Sequence, residues 1–272
     1  MGAAPVMLRT LDRLTTPACM GAVRMTLVGL LLLVGAAVML HRISCRSLWE
    51  DELFHRQVGT MSLDAIRHYE GFMRFSTGYY VLTRWSEQLF GDPTFSARAP
   101  EAAAAALTLL FAYLLGRHLF STGTGLLAML VLIANPFFVC YAQENRFYQL
   151  GSMCLLATYY FFVAFLAQRR VRHWIGFVAA ACLLLHAFPF GFVGCAMLLP
   201  VLLLLLLLQW LRRSGSPYVC TRGTLLWLIA AGAVIVLVWM PEPLLLFKQL
   251  ILSRDALVAV KDEKSGVYDL WW

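Results

Sequence analysis

Residues 174–208 read WIGFVAAACLLLHAFPFGFVGCAMLLPVLLLLLLL, thirty-five positions with no Asp, Glu, Lys or Arg. As one helix this run would be about 52 Å long, against a hydrocarbon core of ~30 Å. It must therefore fold back on itself. His186-Ala187-Phe188-Pro189-Phe190-Gly191 supplies the break, because proline removes a backbone donor and glycine permits a turn. The reading is a helical hairpin inside a membrane.

Five further apolar stretches occupy residues 22–40, 99–119, 125–139, 150–167 and 225–240; with 174–188 and 191–210 they make seven. Each approaches the ~20 residues a helix needs to cross a bilayer. Composition agrees: 61% of the chain is hydrophobic and 14% charged, where a soluble domain carries about 25% charged residues. The expected fold is all-α, a polytopic membrane bundle of about seven transmembrane helices. The run at 25–40 is too long for a signal-peptide core and lacks a cleavage site after it, so it reads as a retained first span.

The net charge of +7 does not point to nucleic acid, because the basic residues border apolar runs. Arg9, Arg13 and Arg24 precede the first span. Arg117 follows the second, Arg169, Arg170 and Arg172 the fourth, and Arg212, Arg213 and Arg222 the sixth. The opposite short loops hold Arg146 alone and then none. This alternation places the N-terminus in the cytoplasm and residues 41–98 outside, since long loops translocate regardless of charge. Within that outer loop, Leu63, Ile66, Tyr69, Phe72 and Met73 recur at helical spacing opposite Asp64, Arg67, His68 and Glu70. Tyr79, Leu82, Leu89 and Phe90 do so opposite Arg84 and Glu87. Both stretches fit interfacial amphipathic helices. The expected organisation is a cytoplasmic segment 1–24, a transmembrane module 25–240, and an outward-facing tail 241–272 ending in Trp271-Trp272. The seven cysteines show no C-x-x-C spacing and read as packing residues.

Three features on the outer side carry chemistry. Glu50-Asp51-Glu52 is either a solvated acidic turn or the source of a general base at the membrane surface. Tyr141-Ala142-Gln143-Glu144-Asn145-Arg146-Phe147-Tyr148 is either an ion pair with aromatic anchors or part of a polar site; residues 141, 144 and 148 would share one face of a helix. His186 is either a packing residue or a ligand. No zinc pattern, P-loop or dinucleotide fingerprint occurs.

Taken in order, these segments resemble the GT-C superfamily of membrane glycosyltransferases, in its protein mannosyltransferase and aminoarabinose-transferase branch. The matching residues are Asp51-Glu52 after the first span, Leu89-Phe90-Gly91-Asp92 with Ala97-Arg98-Ala99-Pro100, and Tyr113-Leu114-Leu115-Gly116-Arg117. With them goes Asn135-Pro136-Phe137-Phe138 followed by the Y-x-Q-E-x-R-x-Y run at 141–148.

The resemblance implies a sugar donor on a polyprenyl phosphate, a lipid, glycan or protein acceptor, and inversion at the anomeric carbon. The site would lie on the extracytoplasmic face of the inner (cytoplasmic) membrane. Asp51 and Glu52 would be catalytic, with Asp51 as base. Arg146, Tyr148, Tyr141, Glu144 and His186 would bind donor and substrate. Asp51 and Glu144 would be the ligands of a divalent metal, Mg or Mn, if one is used. Two departures are visible: Arg74-Phe75-Ser76-Thr77-Gly78-Tyr79-Tyr80 replaces the family's His-Pro-Pro-rich segment, and members commonly run well beyond 272 residues. The expectation is therefore a short form, a fragment, or a chain that works with a partner subunit supplying the missing C-terminal half. The alternatives are a non-catalytic GT-C-like scaffold and, behind it, a transporter, which would show broken helices at midplane in paired spans.

Overall fold

The computed structural model describes residues 17–67, 77–212, 221–241 and 244. Arg9, Arg13, the second half of the first amphipathic stretch (Tyr69, Phe72, Met73), Arg213 and nearly all of the tail lie outside the described residues. Twelve helices are described: α1 Pro17–Leu40, α2 Glu50–Thr60, α3 Leu63–Arg67, α4 Thr77–Leu89, α5 Pro93–Leu119 and α6 Thr122–Ala134, then α7 Pro136–Ala142, α8 Tyr148–Gln168, α9 Val171–Ala187, α10 Gly191–Ala196, α11 Leu198–Arg212 and α12 Arg222–Trp239.

All seven apolar stretches are helical. Four of the helices (α1 over Gly21–Leu40, α5, α8 and α12) are each long and apolar enough to cross a membrane, and α6 with α7 makes a fifth if that bent pair is one span. The chain is a membrane protein. The expected count of seven is not reached by length and composition, because α9 has 17 residues and the sixth stretch is divided. The division has a local cause. Pro200 sits in the first turn of α11, where it has no N–H and its ring excludes a helical carbonyl at Ala196, so α10 stops there.

The third stretch also departs from a straight span. It bends by 71° between α6 and α7. Asn135 stands at the corner as N-cap, accepting the N–H groups of Phe137 at 2.9 Å and Phe138 at 3.3 Å, and Pro136 takes the first helical position. The hairpin break is where the sequence places it, with α9 ending at Ala187 and α10 starting at Gly191.

Helix α8 is the centre of the bundle and packs against α5 on one side and α9 on the other. Helix α5 carries Pro100 in its interior, which cannot donate to the carbonyl of Ser96. The hydroxyl of Ser86 on α4 donates to that carbonyl instead, at 2.6 Å, so the gap left by proline becomes a tie to the outer loop. Helix α4 is the expected amphipathic helix. It packs against α2, α5 and the end of α9, where a side chain at Gly78 would meet the backbone of His186 at 3.0 Å. Val58, Ile66, Tyr79, Tyr80, Phe147, Leu150 and Leu184 form one buried cluster that joins the outer loop to the bundle.

Candidate active site

The acidic triplet is the first turn of a helix. Trp49 precedes α2, and its N–H donates to the Glu52 side chain at 3.3 Å, so the triplet caps the helix and complements its dipole. Successive helical residues point about 100° apart. That rotation separates two neighbouring acids: Asp51 is half exposed, and Glu52 is fully buried.

Glu52 is held by Arg98 of α5 in a two-pronged pair, Nε to Oε1 at 2.8 Å and Nη2 to Oε2 at 2.7 Å. The remaining three N–H groups of Arg98 go to the carbonyls of Ile43, Arg46 and Ser47 at 2.7, 3.0 and 3.3 Å. All five guanidinium donors are thus used, and the loop between α1 and α2 is wound onto one side chain. Glu52 Oε1 also accepts the N–H of Asn145 at 2.8 Å, while Asn145 Nδ2 donates to the Glu52 carbonyl at 3.1 Å. Tyr79 completes the layer by donating to Asn145 Oδ1 at 2.5 Å. Burial raises the Tyr79 hydroxyl well above the usual tyrosine range, so it stays protonated and remains a donor.

This buried layer sets the register of an exposed one. Asp51 follows Glu50 and precedes Glu52; Arg146 follows Asn145. Clamping Glu52 to Asn145 brings Asp51 and Arg146 side by side, and they form an ion pair. Arg146 Nη1 also reaches the Tyr148 hydroxyl at 3.3 Å, and its guanidinium lies 4.4 Å from the centre of the Trp49 ring. Its Nε is buried and has no hydrogen-bond partner. Tyr141 packs edge-on against Tyr148 with ring centres 5.1 Å apart.

The expectation of one helical face through residues 141, 144 and 148 is corrected. Helix α7 ends at Ala142 and α8 starts at Tyr148. Between them the chain reverses through tight turns, with Gln143 N–H bonded to Cys140 O and Arg146 N–H to Glu144 O. Two helix ends near this turn are capped by polar side chains. The Gln143 amide donates to the carbonyls of Val38, Met39 and His41, closing the end of α1. Fully buried Glu101 of α5 accepts the N–H groups of Gln149 and Leu150 at 2.7 and 3.2 Å, placing a carboxyl at the start of α8.

The other expected site residues are placed less centrally. Glu144 accepts the Cys140 thiol at 3.6 Å, and partial burial raises its carboxyl above the usual range. The carboxylate that pairs with Arg146 is Asp51. His186 lies in the last turn of α9, half buried against Gly78, while Ala187 and Leu184 of the same helix join the buried cluster and Phe188 lies 5.8 Å from Phe147. Glu52 was expected to be catalytic; it is fully buried, with its oxygens bonded to Arg98, Trp49 and Asn145. For a metal on Asp51 and Glu144, no group of three His, Cys, Asp or Glu side chains gathers among the described residues. The cation that meets Asp51 is Arg146.

His55, one turn after Asp51, escaped the sequence reading. It is buried among Tyr79, Tyr80 and Phe147, with Nδ1 3.0 Å from the Tyr80 hydroxyl. Burial pushes its pKa down to about 4. The folded state therefore favours neutral His55, and the unfolded chain binds the extra proton between pH 6.5 and 4. Stability is complete above about pH 6.5 and falls across that window, by about 2–3 kcal/mol at most. Thermal unfolding of the purified protein should show this slope, and His55→Gln should flatten it.

Comparison with protein-family models now bears on this geometry. A model described as dolichyl-phosphate-mannose-protein mannosyltransferase matches residues 78–239. The chain belongs to this family. It is thus a membrane glycosyltransferase of the GT-C type, as the ordered motifs implied. No curated protein and no solved structure matches the chain. The matched region of the transferase holds Arg98, Glu101 and the 141–148 turn; Asp51 and Glu52 precede it, joined to it by the bonds just described.

Proposed function

We propose that the transferase moves a sugar from a polyprenyl phosphate donor to a hydroxyl of a lipid, glycan or protein, on the extracytoplasmic face of the cytoplasmic membrane, with inversion. The observation that carries this reading is the Asp51–Arg146 pair, a carboxylate and a guanidinium at the rim of a buried frame. Transfer of a phosphate-linked sugar needs one group of each kind.

The acceptor hydroxyl loses its proton to an Asp51 carboxylate oxygen as its own oxygen attacks the anomeric carbon. The bond from that carbon to the phosphate oxygen breaks, and the electron pair leaves with the lipid phosphate. Arg146 faces the charge that develops there. Its Nε is without a protein partner, and its Nη1 already stands beside the Tyr148 hydroxyl, whose own proton is free to donate. In their ion pair Asp51 and Arg146 neutralise one another. A donor phosphate competes for Arg146, so binding of the donor frees the carboxylate that the next step requires.

The test is transfer by the purified transferase in lipid, supplied with a labelled mixture of polyprenyl-phosphate sugars and a membrane extract as acceptor. The expected result is labelled acceptor, one polyprenyl phosphate released per sugar, and an inverted anomeric centre. Retained configuration would contradict the direct displacement. Donor binding without transfer would favour a scaffold that needs a partner.

A further inference from the structure

The end of the bundle opposite Asp51 holds a second polar feature that sugar transfer does not use. The last turn of α5, the end of α8 and the start of α9 meet there. Between them lies a cavity of about 290 Å³ lined by Leu114, Arg117, His118, Tyr160 and Gln168. His173, in the first turn of α9, is buried behind it. Its Nε2 lies 3.3 Å from Gln168 Oε1, and its Nδ1 is buried without a hydrogen-bond partner.

Among the described residues, the charge at this end has one sign. Residues 102–143 and 145–241 contain no Asp or Glu. Arg117, Arg169, Arg170, Arg172, Arg212 and Arg222 all fall at the helix ends on that side. Helix dipoles offset one another at two of these junctions, because the starts of α6 and α9 stand beside the ends of α5 and α8. Two apolar side chains, Leu119 and Phe120, are exposed next to Arg117, Phe120 to 75%. A cationic polar cavity with an exposed apolar margin, at the end of membrane-length helices, matches an anionic lipid: phosphate inward and acyl chain outward.

We propose that this cavity binds the phosphate headgroup of an anionic glycerophospholipid, with Arg117 as its main cation and Gln168 and Tyr160 as polar contacts. The site is separate from the one that takes the sugar donor.

The test uses the full chain in detergent, titrated with phosphatidylglycerol or with phosphatidylethanolamine and read by native mass spectrometry. One phosphatidylglycerol should be retained per chain, in preference to the zwitterionic lipid. Arg117→Gln should weaken retention about fivefold or more, the effect of one surface cation on an anionic lipid. Arg117→Lys should restore most of it. Arg222→Gln, which removes a charge at the same end but outside the cavity, should leave it unchanged. Equal retention of both lipids, equal loss in the two Gln variants, or displacement of the lipid by inorganic phosphate alone would overturn the proposal.

Discussion

Asp51→Asn is expected to lower the rate of sugar transfer by about 10²–10⁴-fold, the range for loss of a positioned general base. Asparagine keeps the size of the side chain and can still meet Arg146, but it cannot take the acceptor's proton. No neighbour takes over. Glu52 is closed to solvent and its oxygens are committed to Arg98, Trp49 and Asn145. Glu50 points elsewhere on the helix. The loss should fall on kcat. Donor affinity should hold or tighten, because asparagine grips Arg146 less firmly than a carboxylate does. A loss confined to KM would mean that Asp51 binds substrate and does not accept the proton. Kinetics over a range of donor concentrations separates the two.

Arg98→Ala is expected to have the largest effect on stability. The Glu52–Arg98 pair is buried on both sides. Removing one partner of such a pair costs about 3–5 kcal/mol, a large share of the 5–15 kcal/mol that holds a typical domain. Here the carbonyls of Ile43, Arg46 and Ser47 also lose their donor. The variant should show a much lower unfolding temperature in detergent, and loss of monodisperse protein if the margin is exhausted. Replacing both partners with apolar residues (Glu52→Leu with Arg98→Met) should recover part of the stability, since no buried charge is then left alone. It should not recover transfer, because Asn145 would lose the acceptor that sets Arg146 beside Asp51. Recovery of both would reduce the buried pair to packing.

These two effects also mark what could be read from the sequence. Apolar runs of membrane length are a local signal, and each is helical, the third and sixth as two helices apiece. The break at 188–190 was legible for the same reason. Asp51, Arg146 and Tyr148 could be named as candidates from the sequence because their residue types suit the chemistry and their order matched a family. The burial of Glu52 was not legible, since nothing local says which of two adjacent acids turns inward. That is decided by Arg98, 46 residues away, and by Asn145, 93 residues away. Gln143 and Glu101 were invisible as caps for the same reason: each closes the end of a helix to which it does not belong. The corner at Asn135-Pro136 was legible in principle, as an N-cap followed by proline at the first helical position, but the apolar residues on both sides masked it.

The central claim is that Asp51 and Arg146 act as one site. Transfer rates for Asp51→Asn, Arg146→Gln and the double variant, measured on membranes containing each protein, test it most directly. Residues that work as a unit lose nearly everything in the first substitution. The account therefore predicts a double variant about as slow as the slower single one. Losses that multiply would contradict it, showing that the carboxylate and the guanidinium serve independent steps.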